Sequence, residues 1–155
     1  MLPTNKSEPY YLSRIDANHP LASWSKHGFE LDGSAWPSVE HYYQGMKFAP
    51  GDYRESIRQA DHPQKAQDLA AANKKQVRND WRQVREVMMT RAIYTKCRTH
   101  ESVANTLLAT GDQKLVENSQ YDYFWGCGRD GRGHNIFGKV LMAVRDKLRR
   151  EQLAD

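Results

Sequence analysis

Apolar residues recur at helical spacing through most of this chain, which predicts a mainly helical protein with a few short strands. The last segment predicts a helix over residues 136–150 with one buried face. That face carries Phe137, Val140, Leu141, Val144 and Leu148. Other helices are predicted over residues 37–48, 52–60, 63–73 and 101–109. Strands are predicted over residues 29–31 and 114–117.

A further long helix is predicted to begin near Trp81, with Asn79 as its N-cap. Its buried face is expected to carry Trp81, Val84, Val87, Met88, Ala92 and Thr95. A chain of 155 residues fits one domain, so we expect a single, mainly helical α+β domain over residues 10–150. Residues 1–9 are expected to form a flexible N-terminus.

Composition narrows the functional classes only modestly. The net charge of +4 favours anionic ligands or contact with nucleic acid, without requiring either. Two cysteines, Cys97 and Cys127, are too few for a disulfide framework or a metal cluster, so a reduced, cytoplasmic protein is expected. No stretch reaches the roughly 18 apolar residues of a membrane span, and no membrane partner is expected. The oligomeric state stays open.

Residues 36–48 are the segment richest in candidate chemistry. Pro37 suits the first turn of a helix because its φ angle is fixed near the helical value. Glu40 and Lys47 then stand seven residues apart, so they point nearly the same way, with Gln44 between them. An acid, an amide and an amine on one helix face are typical of a functional site, or of a solvated stripe.

Residues 121–135 form a second candidate, a glycine-rich loop. Gly126, Gly128 and Gly131 match GxGxxG, but only 24 residues remain after Gly131, which excludes the strands that a dinucleotide-binding fold requires. Glycines let the backbone approach a ligand closely, and free N–H groups there bind anions. The loop is therefore a phosphate site or a plain surface turn.

Charged and aromatic residues within this loop extend the hypothesis. Arg129 and Arg132 add positive charge, and Asn135 is expected to cap the following helix, whose N–H groups favour phosphate. Asp122 suits a general base, an acceptor for ribose hydroxyls or a turn. Trp125, like Trp36, suits stacking on a planar base or packing in the core.

These motifs resemble the NADAR family, whose bacterial members include YbiA-like proteins, from about residue 21 to residue 148. The family marks are Trp36–Gln44, Met46–Phe48, Arg78–Trp81, Thr110-Gly111, Leu115–Glu117, Asp122, Trp125-Gly126, Gly131, Gly133, Asn135, Gly138 and Leu141-Met142. One departure concerns the usual Leu-Ser-Asn-Phe segment, which reads Leu21-Ala22-Ser23-Trp24 in this chain. Ser23 in place of Asn is expected to change one polar contact to the ligand.

The resemblance implies a NADAR fold and an N-glycosidase that needs no cofactor. Two substrate classes are associated with the family: ribosylamino-pyrimidine phosphates of early riboflavin biosynthesis, and ADP-ribose on the exocyclic amine of guanine in nucleic acid. Both join ribose C1′ to an exocyclic amine of a heteroaromatic ring. A non-catalytic ADP-ribose or nucleotide-binding module is the alternative, and a regulatory interaction protein is a third reading.

The resemblance also implies a role for each candidate residue. Lys47 is the expected nucleophile, through a Schiff base with the opened sugar, and Glu40 the proton-transfer group. Asp122 is a second acid/base or a ribose ligand; without a Schiff base, Glu40 and Asp122 could act as a carboxylate pair. The expected substrate-binding residues are Ser23, Trp36, Gln44, Arg78, Trp125, Gly126, Arg129, Gly131, Arg132 and Asn135.

Overall fold

This computed structural model describes residues 8–154. Within them the chain forms six α-helices, one 3₁₀ turn and four three-residue strands, joined by loops. The helices are α1 (Val39–Gly45), α2 (Asp52–Arg58), α3 (Pro63–Ala71), α4 (Trp81–Thr99), α5 (Glu101–Ala109) and α6 (Ile136–Ala154). The strands are β1 (Tyr10–Leu12), β2 (Phe29–Leu31), β3 (Ser34–Trp36) and β4 (Leu115–Glu117), and the 3₁₀ turn is Lys74–Gln76.

The four strands form two separate pairs. β1 and β4 are parallel, with Leu12 beside Glu117, so the segment that follows β1 starts next to the end of β4. β2 and β3 form an antiparallel hairpin closed by Asp32 and Gly33, whose φ angles of 53° and 80° are left-handed, as an Asp-Gly turn predicts. Neither pair forms a layer; the helices supply most of the core, and each strand adds one buried residue to it: Leu12, Phe29, Trp36 or Leu115.

The core lies between α1, α4 and α6, and α1 is enclosed on all sides because α2 and α3 also pack on it. All seven residues of α1 are buried. The helix begins after Ser38, whose Oγ accepts a hydrogen bond from the His41 amide, at 3.2 Å. The interpretation of these residues as a solvated stripe is therefore wrong, because Glu40 and Gln44 lie inside the protein.

The fold class predicted from the sequence is confirmed, although several helix details differ. α1 is shorter than the predicted 37–48, because Ser38 caps it and Met46 ends it. α4 takes Asp80 as its N-cap residue rather than Asn79. Its buried face is centred on Met89, Ala92, Ile93, Lys96 and Cys97, whereas Val87 is 55% exposed. Trp81 and Met88 of the predicted face pack against the core while staying partly exposed, so the face is rotated relative to the one that amphipathic spacing predicts.

Most of the N-terminal segment predicted to be flexible, residues 1–7, lies outside the described residues. α6 continues to Ala154, beyond the predicted end at residue 150. Within residues 8–154, no helix combines the length and the apolar character that crossing a membrane requires.

Candidate active site

A fully buried carboxylate, that of Glu40, lies at the centre of the site. Its Oε2 accepts hydrogen bonds from Arg14 Nη1, at 3.2 Å, and Ser23 Oγ, at 3.0 Å. Its Oε1 accepts from the Nε2 atoms of Gln44, at 2.8 Å, and Gln67, at 3.1 Å. These four donors, one of them a guanidinium, stabilise the negative charge of the buried carboxylate.

The four donors come from four different segments of the chain. Arg14 follows β1, Ser23 belongs to the loop before β2, Gln44 lies one turn along α1, and Gln67 lies on α3. The same loop also binds the helix backbone, because the Glu40 amide donates to the Ser23 carbonyl at 3.0 Å. The four donors therefore surround this carboxylate only when the tertiary fold is complete.

A buried lysine, Lys96 on α4, fixes the loop that carries Ser23. Its Nζ donates to the carbonyls of Pro20 and Ala22 and to Ser25 Oγ, at 2.7, 2.9 and 3.0 Å. Burial lowers the pKa of Lys96 to about 8. Three acceptors around one ammonium hold the loop closed over the first turn of α1.

Arg14 joins a second carboxylate to the first. Its Nη2 lies 3.6 Å from Asp122 Oδ2, while its Nη1 contacts Glu40. Asp122 also forms a turn, since its Oδ1 accepts from the amides of Phe124, at 3.0 Å, and Trp125, at 2.8 Å. The turn role and the site role that the sequence left open are thus both compatible with this aspartate.

A cleft of about 490 Å³ lies over this cluster. Arg14, Gln67 and Asp122 line it, together with Trp24 and the exposed Tyr121. A wider cleft of about 700 Å³ lies beside the β2–β3 hairpin, and another of about 340 Å³ lies between α4, α5 and α6. Neither of these two clefts is lined by Glu40, by one of its four donors or by Asp122. The cleft of about 490 Å³ is therefore the candidate substrate cleft.

Lys47 lies just beyond the end of α1, half-buried between two aromatic rings. Its Nζ is 5.5 Å from the centroid of the Tyr43 ring and 5.9 Å from that of Trp81. Among the described residues, none forms a hydrogen bond or an ion pair with this amine. An amine without a carboxylate partner, in a partly desolvated place, is easier to deprotonate than a surface lysine.

The pKa of Lys47 is lowered from its ordinary value of 10.5, first by burial. The Glu40 carboxylate raises it, and the positive charges of Arg14, Arg85 and Lys74 lower it. These effects place Lys47 in the electrostatic field of the buried carboxylate, although Lys47 lies beyond the end of α1 rather than on the predicted helix face. The balance favours the free amine more than in a solvated lysine.

Arg85, on α4, also lacks a carboxylate partner within residues 8–154. Its guanidinium carbon lies 3.4 Å from the centroid of the Phe124 ring, and its Nε is buried without a hydrogen-bond partner. A stacked, uncompensated guanidinium that also acts on Lys47 is well suited to bind an anion.

The glycine-rich loop, which the sequence left open as a phosphate site or a plain surface turn, is bonded to its own backbone and to the residues before it. Its backbone amides are used inside the protein: Gly128 donates to Ser119, and Gly133 to Cys127. The Asn135 amide donates to the Gly126 carbonyl, at 3.0 Å. A Cβ on Gly133 would lie 2.3 Å from that carbonyl, so the chain approaches itself here. The glycines therefore allow close backbone packing, and these amides are not free for an anion.

The charged residues of this loop lie away from the cluster. Arg129, Gly131 and Arg132 are exposed, and Arg132 Nε lies 3.8 Å from Asp130 Oδ2. Neither arginine is among the cations that act on Lys47. The structure thus brings Arg14 and Arg85 to Lys47, rather than the two arginines that the sequence favoured.

Asn135 does not cap α6 with its side chain, contrary to the sequence prediction. Its Nδ2 donates to the Leu115 carbonyl, at 2.9 Å, and its Oδ1 accepts from the Glu117 amide, at 2.8 Å. With a φ angle of 51°, Asn135 turns the backbone sharply before α6 and ties the loop to β4.

The two candidate tryptophans are both buried. Trp36 donates from Nε1 to the Leu31 carbonyl, at 3.0 Å, which is the packing role that the sequence left open. Trp125 packs edge-on against Tyr43, with ring centroids 5.4 Å apart. Because Tyr43 also contacts Lys47, Trp125 supports the wall beside the amine.

Arg78 contributes through its backbone. Its amide donates to the Lys47 carbonyl, at 2.8 Å, which fixes the chain after α1. Its guanidinium pairs with Asp80 at 2.6 Å, at an exposed position. The structure therefore places Arg78 next to Lys47 but leaves its charge compensated.

Sequence reasoning missed three polar residues of the site: Arg14, Gln67 and Arg85. None stands in a recognisable motif, and their roles depend on tertiary contacts. Within residues 8–154, no three His, Cys, Asp or Glu side chains lie together as metal ligands. The functional groups present are suited to proton transfer by carboxylates and to attack by a lysine amine.

Comparison with known proteins identifies the family of this chain. The NADAR domain model matches residues 4–149. An N-glycosidase from Nostoc punctiforme is 40% identical over 133 residues, which cover 83% of this chain and 85% of the relative. A riboflavin biosynthesis protein from Vibrio vulnificus is 37% identical over 142 residues, which cover 91% of this chain but 39% of that longer protein.

A solved structure gives the same result for the fold. The NMR structure of the E. coli protein YbiA matches with a TM-score of 0.87 and 33% sequence identity. The match covers 98% of this chain and 91% of YbiA. By its sequence over almost its whole length, and by its fold, the chain belongs to the NADAR domain family.

Proposed function

We propose that this N-glycosyl hydrolase cleaves the bond between ribose C1′ and an exocyclic amine of a heteroaromatic base. The name of the Nostoc relative supports the reaction class, and that of the Vibrio relative supports a ribosylamino-pyrimidine phosphate as substrate. ADP-ribosylated guanine, in nucleic acid or free, has the same bond and is the second substrate class that the family resemblance implies.

The observation that carries the proposal is the pairing of a buried carboxylate on α1 with a partnerless amine just beyond the end of that helix. Glu40 is held by four donors, two of which, Arg14 and Gln67, line the cleft, and it acts on the pKa of Lys47. Carboxylate and amine are the two groups that opening and cleavage of a glycosylamine require.

The proposed reaction begins with opening of the ribose ring, which turns the glycosylamine into an imine at C1′. The neutral Lys47 amine adds to C1′, and the C1′–N bond to the base then breaks as the base takes up a proton. The product is a Schiff base between C1′ and Lys47. Water adds to C1′, the bond to Lys47 breaks, and free ribose phosphate leaves.

Glu40 is the group that moves protons in these steps, with Arg14 and Asp122 beside it. Arg14 lies between the two carboxyl groups and contacts both, which holds them in fixed positions. In the alternative without a Schiff base, the same two carboxylates act through an oxocarbenium-like transition state. The two mechanisms differ in whether sugar is ever bonded to Lys47.

Borohydride trapping during turnover tests the proposal. We expect wild-type protein to release free base from a ribosylamino-pyrimidine phosphate or from ADP-ribosylated guanosine, assayed side by side. Borohydride reduces an imine to a stable amine, so peptide mapping should locate the sugar on Lys47. Lys47→Arg should form no adduct, because a guanidinium stays protonated.

The outcomes of this assay distinguish the alternatives. Release of base without an adduct at any lysine would support the Glu40–Asp122 pair instead. Binding of either compound without release of base would indicate a non-catalytic nucleotide-binding module and would contradict the proposed function. Lys74 and Lys75 serve as internal controls, since both are exposed and should stay unmodified.

The titration of Lys47 gives an independent prediction. Acetylation rates measured against pH by mass spectrometry should show a midpoint for Lys47 below 10.5. In Arg85→Leu, loss of a nearby cation stabilises the ammonium form, so the midpoint should move to higher pH. Arg82→Leu is the matched control, since Arg82 is exposed one turn earlier on α4 and should leave the midpoint unchanged. An identical midpoint in all three proteins would contradict the proposed field.

We further propose that Arg85, rather than the glycine-rich loop, binds the substrate phosphate. Arg85→Leu should lower kcat/KM for a phosphorylated substrate roughly 10- to 100-fold more than for the dephosphorylated one, the range of one charge-assisted hydrogen bond. The double variant Arg129→Ala and Arg132→Ala should leave this ratio unchanged. The reverse pattern would assign the phosphate to the loop.

A further inference from the structure

Glu40 fixes the orientation of two glutamine side chains. A carboxylate accepts hydrogen bonds, so the amide nitrogens of Gln44 and Gln67 must face its Oε1. Each carbonyl Oε1 therefore points away from the carboxylate. The Oε1 of Gln44 is buried and has no partner, which leaves it enclosed in the protein.

Gln67 differs from Gln44 in its accessibility. It is half-buried, projects from α3 and lines the cleft of about 490 Å³. Within residues 8–154, its one hydrogen bond is the 3.1 Å contact from Nε2 to Glu40. Its carbonyl is therefore an oriented acceptor that is held one amide width from the catalytic carboxylate and is open to a ligand.

The other polar groups that touch both the cleft and this cluster cannot take this role. The guanidinium of Arg14 has only donors. The Oδ1 of Asp122 already accepts from two backbone amides, and its Oδ2 faces Arg14. A hydroxyl group brought next to Glu40 thus finds its acceptor at Gln67 Oε1.

We infer that Gln67 is a specificity-determining residue whose Oε1 accepts a hydrogen bond from the ribose 2′-hydroxyl. The inference rests on the proposed function, in which C1′ reacts beside Glu40. The 2′-hydroxyl is carried by the carbon next to C1′, so it reaches the group next to Glu40. Gln67 thereby favours ribosyl over 2′-deoxyribosyl substrates.

The test compares kcat/KM for a ribosyl substrate and its 2′-deoxy counterpart in the wild type and in Gln67→Met. The substrate is ribosylamino-pyrimidine phosphate or ADP-ribosylated guanosine, whichever the wild type hydrolyses faster. The 2′-deoxy change is made in the sugar whose C1′ is bonded to the exocyclic amine of the base. The intrinsic difference in reactivity between the two sugars is the same for both enzymes and cancels in the ratio. Gln67→Met should reduce the preference for ribose roughly 5- to 100-fold, the range of one lost hydrogen bond.

Gln64→Met is the matched control, because Gln64 lies one turn earlier on α3 and lines the same cleft. Its Nε2 donates to Asp68 and does not contact Glu40, so the preference for ribose should persist. If Gln67→Met lowers kcat/KM equally for both sugars, Gln67 only supports Glu40 and the inference is wrong. If both variants lose the preference equally, the inference is also wrong. Absence of turnover by the wild type would overturn the proposed function, and the inference with it.

Discussion

The buried carboxylate of Glu40 is the constraint on which the rest of the site depends. A charge without water must be matched by donors, and here four segments supply one donor each: the chain after β1, the loop before β2, α1 and α3. Removing one partner of such a buried pair costs about 3–5 kcal/mol. Folding and site assembly are therefore one event, since the carboxylate is tolerated only when all four segments meet.

The same arrangement explains why the neighbouring groups have the properties that catalysis needs. Donors gathered around Glu40 leave two glutamine carbonyls pointing away from it, and one of them opens to the cleft. The cations near the carboxylate oppose its effect on Lys47, and burial adds to them. The Lys47 amine is consequently partly desolvated and has no ion-pair partner within residues 8–154, as its proposed role as nucleophile requires.

Local sequence signals predicted the frame of this structure well. The spacing of apolar residues predicted α6 and its buried face. The interval between Glu40 and Lys47 predicted one continuous helix, but α1 ends before Lys47, and the carboxylate acts on the pKa of that amine from within the core. Burial of Glu40 did not follow from the sequence, because it depends on α2 and α3 closing over α1. Arg14, Gln67 and Arg85 carry no local signature, since each gains its role from a partner that is distant in sequence.

The glycine-rich loop shows why composition alone is an unreliable guide to a ligand site. Glycines permit close approach, but the approaching group here is the protein backbone itself: Gly133 lies against the Gly126 carbonyl, and Gly128 lies over the Tyr123 ring. Amides that the sequence offered to a phosphate are already bonded within the loop. The arginines nearby are exposed for the same reason, because the loop folds onto itself and points their side chains outward.

In the proposed mechanism the Glu40 carboxylate performs chemistry as well as holding the fold together. Glu117 offers a control, since it is equally buried and accepts from the backbone amides of Arg14 and Ser119. The direct measurement is kcat of the folded proteins Glu40→Gln and Glu117→Gln, each checked by thermal denaturation. We expect both variants to lose stability. We expect kcat to fall on the order of 10²–10⁴-fold in Glu40→Gln and kcat to change little in Glu117→Gln. Equal kcat in the two variants would contradict this mechanism.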